Sequence, residues 1–119
     1  MLDHINLVVP NLEEAEKFYV GVLGFTISGD FMTPNNVRYL FVTKDGVTYE
    51  MVENKDLKVA KVGHIAIRST DIESDYKELE AKGAKMQGPI GQADFIFNGV
   101  RFFFIEAPNG ESVEYIQLL

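Results

Sequence analysis

The chain has 119 residues, one domain's worth, and its 46% hydrophobic content supports a core without staples. Eleven Lys+Arg against eighteen Asp+Glu leave a net charge of −7, which argues against a phosphate-backbone or anionic-membrane binder. The chain has no cysteine, so disulfides, thiolate nucleophiles and cysteine-held metals are excluded, and two histidines are the only imidazoles.

Residues 2–9, LDHINLVV, alternate in character. Ile5, Leu7 and Val9 fall on one face; His4, Asn6 and Val8 fall on the other. Pro10 ends this strand, and Asn11 with Glu14 makes a capping pattern. Leu12, Ala15, Tyr19 and Val22 then repeat at helical spacing, and Gly24 stops the helix. Residues 25–33 and 37–44 read as strands, Asp45-Gly46 as a hairpin turn, and 47–53 as the returning strand. Residues 54–60, NKDLKVA, read as a charged linker. The pattern then restarts. His64 lies in a strand over 62–67, and Asp71 caps a helix with the stripe Ile72, Tyr76 and Leu79, ended by Gly83. Short strands over 84–87 and 92–97 flank Gly88-Pro89. A strand over 100–107, a Pro-Asn-Gly turn and a strand over 111–118 complete the chain. No apolar run approaches the roughly 20 residues of a membrane span. The first residues open straight into a strand, so a cytoplasmic protein is expected.

The restart is a repeat. His64 follows His4 by 60 residues, and Asp71 follows Asn11 by 60. Gly110 follows Gly46 by 64, and Glu114 follows Glu50 by 64. Two βαβββ copies therefore align, with a net insertion of four residues in the second. The expected organisation is one domain of two modules, 1–53 and 61–119, joined by 54–60.

Taken singly, neither histidine and neither glutamate makes a case, because a strand histidine is commonly packed and a strand glutamate commonly solvated. Together they do. Each copy places one of each at an equivalent position, on the strand face that alternation turns away from the helix. Two imidazoles and two carboxylates suit a divalent ion such as Zn, Ni, Co, Mn or Fe.

The blocks DHINLVVPNLEEAEKFYVGVLGF, VGHIAI and APNGESVEYIQ resemble the glyoxalase/bleomycin-resistance/dioxygenase superfamily, also called the vicinal oxygen chelate superfamily. The resemblance covers essentially the whole chain and is most like glyoxalase I (lactoylglutathione lyase). It implies an α+β fold of two βαβββ modules, with mixed sheets curled around a metal and helices outside. It implies His4, Glu50, His64 and Glu114 as metal ligands. It further implies an isomerase or lyase acting on a small carbonyl or thiol-hemithioacetal through a metal-stabilised enediolate. Glu114 is the implied base, with Glu50 as its alternative. A homodimer sharing sites between chains is also implied. The same scaffold serves epimerases, fosfomycin-type thiol transferases, extradiol dioxygenases and metal-free small-molecule binders, and these are the alternative readings. The arginines and asparagines that hold glutathione in glyoxalase I have no match here. Arg38, Arg68 and Arg101 are candidates for an anionic group, and Phe102 and Phe104 for a pocket wall.

Overall fold

The computed structural model describes residues 1–119 and divides them into two compact units. One comprises His4–Gly63; the other comprises Met1–Asp3 with His64–Leu119. The first three residues thus belong with the second half. Arg68 N–H donates to the Met1 carbonyl at 2.8 Å, and the Arg68 guanidinium pairs with Asp3 at 2.6 Å.

In His4–Gly63, β1 (Leu2–Val9), β2 (Thr26–Met32), β3 (Arg38–Lys44) and β4 (Val47–Glu53) pair in the order β2-β3-β4-β1. The hairpin β3–β4 is antiparallel, as its Asp45-Gly46 turn requires, with both residues at positive φ (52° and 81°). β1 and β4 are parallel, so a crossover must join them. α1 (Leu12–Glu16) begins that crossover. Asn11 caps it by accepting from Glu14 N–H at 3.0 Å, and the Glu53 carboxylate accepts from Leu12 N–H at 3.0 Å.

The expected α-helix does not run to Gly24. Lys17–Val22 is π-helical, with Leu23 N–H reaching the Phe18 carbonyl five residues back. Val20, Gly21 and Val22 are poor helix formers, so the α-helical bonds there are given up at little cost. In the widened turn Tyr19 packs edge-on against Phe25 and Tyr49, with ring centroids 5.4 and 5.5 Å away. Burial, and secondarily the neighbouring Tyr49, pushes the Tyr19 phenol above its ordinary pKa. Val9, Leu12, Leu40, Val42 and Met51 form the buried core beneath this segment.

The other unit repeats the plan. β5 (Lys61–Arg68) is parallel to β9 (Ser112–Leu118), which pairs with β8 (Val100–Glu106). β6 (Lys85–Met86) and β7 (Gly91–Ala93) both pair with β8. They stand where the first copy has the single strand β2. Residues 87–90, with Gly88-Pro89, interrupt the ladder between them, and residues 94–97 are not strand as expected. Proline cannot donate to a ladder, which accounts for the break. α2 (Ile72–Ala81) is capped by Asp71, which accepts from Ser74 N–H, and Ile72 N–H donates to the Gln117 side chain at 2.8 Å. Ile72 is fully buried beneath α2. Phe103 lies between Tyr76, edge-on at 5.0 Å, and Tyr115, stacked at 5.2 Å. No helix is long and apolar enough to cross a membrane.

Leu40 is wholly buried in the first core. Leu40→Ala is expected to lower stability by about 3 kcal/mol, read from urea unfolding, because the cavity cannot close fully. Asp71→Ala removes a single cap bond and is expected to cost about 1 kcal/mol.

Candidate metal centre

Parallel pairing sets the histidine–glutamate pair of the first unit. Asn6 stands opposite Glu50 in the β1–β4 register, so His4, two residues back on the same face, reaches the glutamate diagonally. His4 Nε2 lies 3.5 Å from Glu50 Oε1. The histidine is 1% exposed and the glutamate 7%. On the next strand Phe41 stands opposite Glu50 and meets the His4 ring edge-on at 5.7 Å. Phe31 backs Phe41 at 6.0 Å.

The second unit builds the same arrangement at the same offset. Ala66 stands opposite Glu114, and His64 lies two residues back. His64 Nε2 is 3.5 Å from Glu114 Oε1. Phe104 stands opposite Glu114 and meets His64 edge-on at 5.1 Å, with Phe102 behind it at 5.9 Å. Each histidine–glutamate pair therefore carries its own two-ring wall.

This spacing is informative. A charge-assisted hydrogen bond runs at about 2.7–2.9 Å. Two donors each about 2.1 Å from one tetrahedral ion stand about 3.4 Å apart. Both pairs match the separation of co-ligands, and imidazole with carboxylate is a donor set for a borderline divalent cation. The residues present fit such an ion.

The candidate arginines are placed differently. Arg38 shares a strand face with Leu40 and Val42, because strand side chains alternate, and lies opposite the face of Phe41. It pairs with Glu16 of α1 at 2.9 Å and with both Asp30 oxygens at 2.9 Å. Arg101 shares the Phe103 face and pairs with Glu73 of α2 at 3.0 Å. Neither arginine shares a face with the histidine–glutamate pair of its unit. Arg68 lies at the end of β5, paired with Asp3. Phe102 and Phe104 do share the Glu114 face, as expected of a wall.

One contributor was visible in the sequence without an assigned part. Asn6 is 5% exposed and donates from Nδ2 to Glu50 Oε1 at 2.9 Å. Its signal was position: two residues after His4, on the same strand face.

A family model described as the Glyoxalase/Bleomycin resistance protein/Dioxygenase superfamily matches residues 1–115. The chain belongs to this superfamily. Among curated proteins it is 29% identical to the uncharacterized protein YwbC of Bacillus subtilis (strain 168), over 98% of this chain and 96% of that one. Its fold is like that of a hypothetical protein from Bacillus halodurans C-125, with a TM-score of 0.83, 22% identity, and coverage of 100% and 94% of the two chains. It is also like that of methylmalonyl-CoA epimerase from Mycobacterium tuberculosis, with a TM-score of 0.83, 17% identity, and coverage of 99% and 87%. The superfamily includes many metalloenzymes, and its α+β architecture is the one the repeated βαβββ pattern implied.

The Arg38 cluster allows a test that leaves the candidate metal residues untouched. The hydrogen bond from Arg38 holds the Asp30 carboxyl below its usual range, against a smaller opposing effect of burial. A depressed folded pKa contributes stability above the unfolded value, about 3.9, and loses it as pH falls through the folded value. Asp30→Asn is therefore expected to be less stable than wild type at pH 7. The difference should shrink steadily below about pH 4, as read from thermal melts across pH. Asp30 is partly exposed, so solvent screening keeps the effect small.

Proposed function

We propose that the protein is a metal-dependent isomerase or lyase of the glyoxalase I kind, acting on a small carbonyl or thiol-hemithioacetal substrate. The observation that carries this reading is the recurrence of the histidine–glutamate pair, at 3.5 Å in both units and on the same register offset, with only His64 less than fully buried. A protein that only bound small molecules would have no need to keep four such donors at repeat-equivalent positions.

In this reading His4, Glu50, His64 and Glu114 hold one Zn, Ni, Co, Mn or Fe ion, drawn from the modules of one chain or of two. The ion, when bound, supplies Lewis-acid stabilisation of negative charge developing on a substrate oxygen. Glu114 removes the proton from the carbon alpha to the carbonyl and returns it to the neighbouring carbon. Its low exposure keeps water from competing for that proton. Phe31 and Phe41 in one unit, and Phe102 and Phe104 in the other, provide apolar walls that keep the reacting carbons from water. Arg38 and Arg101 stabilise the scaffold instead of gripping substrate, because they face the helices and are already paired with carboxylates. That arrangement favours a substrate whose reacting end is uncharged.

The working unit is proposed as a cytoplasmic homodimer. In the first unit β2 is the outermost strand, and such an edge is usually paired or covered. Light scattering of the metal-loaded protein should report a dimer; a stable monomer would overturn that part of the proposal.

Purified protein should bind a stoichiometric divalent metal, read by elemental analysis after chelation and reloading. His64→Ala should reduce that binding sharply. Glu114→Gln should keep most of the metal yet lower hemithioacetal turnover by roughly 100-fold or more, the range for loss of a general base. Wild type without rebindable metal would sink the reading. Bound metal without turnover of any thiol-hemithioacetal would move the assignment to another reaction of the superfamily, and oxygen consumption would mark a dioxygenase.

A further inference from the structure

The two histidine–glutamate pairs are alike in spacing and wall but differ in the residue that faces the glutamate. At the position opposite the glutamate, the first unit has Asn6 and the second has Ala66. Asn6 donates to Glu50 Oε1, the same oxygen that approaches His4, and its Nδ2 also lies 3.5 Å from the Glu50 carbonyl. An alanine side chain carries no donor, so Ala66 cannot do this for Glu114.

Asn6 is itself held. Its amide oxygen occupies the space beside Gly63 where a side chain would begin. A Cβ on residue 63 would overlap that oxygen and stand 3.3 Å from Val8 Cγ2. Gly63 is not in the left-handed region, so its backbone would accept alanine. The missing methyl there serves the space that Asn6 occupies.

We propose that Asn6 is a positioning residue that locks Glu50 against His4, with Gly63 providing its seat. The inference rests on the metal reading above. A carboxylate clamped by a buried amide is well suited to steady ligation.

The test is a double-mutant cycle on metal affinity, with Zn²⁺ as the probe, competed against a chelating dye. Asn6→Ala is expected to weaken Zn²⁺ binding roughly 10–100-fold, the range seen when a group supporting a ligand is lost. Gly63→Ala is expected to weaken it as well, by displacing the amide. Combined with Asn6→Ala, Gly63→Ala should add little, because the group it collides with is gone. Additive losses, or an unchanged affinity in Asn6→Ala, would overturn the proposal. Gly63→Ala removes no polar group and keeps the test open if Asn6→Ala does not fold. A second readout needs no metal. In metal-free crystals of Asn6→Ala, Glu50 Oε1 should leave its 3.5 Å approach to His4 Nε2. An unmoved carboxylate would refute the role of Asn6. Wild type that binds no Zn²⁺ would instead refute the metal reading, and the metal-free crystals would still decide what Asn6 does.

Discussion

Burying a carboxylate beside an imidazole sets the terms for each half of this chain. Removing a charge from water costs several kcal/mol unless partners replace the lost solvation. Glu50 and Glu114 are each 7% exposed, so each must be met by groups at fixed places. The parallel pairs β1–β4 and β5–β9 deliver those groups. A parallel ladder puts residue i of one strand opposite a set residue of the other and brings i−2 onto the same face. A one-residue slip of either strand would turn its histidine or its glutamate into the helix-side core and part the pair. The helices, the hairpins and the apolar face under each helix all serve to hold that register.

The two sides of each sheet divide the labour. On the helix side, Leu40, Val42 and Met51 in one unit and Phe103 with Tyr115 in the other supply cohesion. The arginines at the margins of this side, Arg38 and Arg101, tie strand to helix through carboxylates. On the opposite side the same strands present histidine, glutamate and paired phenylalanines. Stability and chemistry are therefore read from alternate residues of one strand, and a single run such as Phe102-Phe103-Phe104 contributes to both.

The repeat gives each unit a histidine–glutamate pair, and the two copies differ around it. Asn6 and Ala66 differ at equivalent positions, as do Asp3 and Gly63. The strand β2 of the first copy is replaced by β6 and β7 in the second, on either side of Gly88-Pro89.

Strands, hairpins, caps and the repeat were legible because they depend on local period and turn chemistry. Alternation located β1 and β5, Asp45-Gly46 marked a hairpin, and Asn11 and Asp71 marked the helix starts, all of which the structure contains. Histidines spaced like the helix caps, by 60, and glutamates spaced like the turn glycines, by 64, identified the candidate ligands without any knowledge of contacts. The π-helical turn over Lys17–Val22 escaped, because a five-residue hydrogen bond and a four-residue one share nearly the same apolar stripe. The faces of Arg38 and Arg101 escaped because an arginine reads as exposed wherever it stands, until the strand's neighbours fix its side. The sequence by itself determined which residue types recur and on which strand face they fall, because period and spacing are properties of the chain alone. Only the tertiary structure decided that Asn6 grips Glu50 beside a glycine that makes room for it, because such a contact joins residues 44 positions apart and exists only when their strands pair.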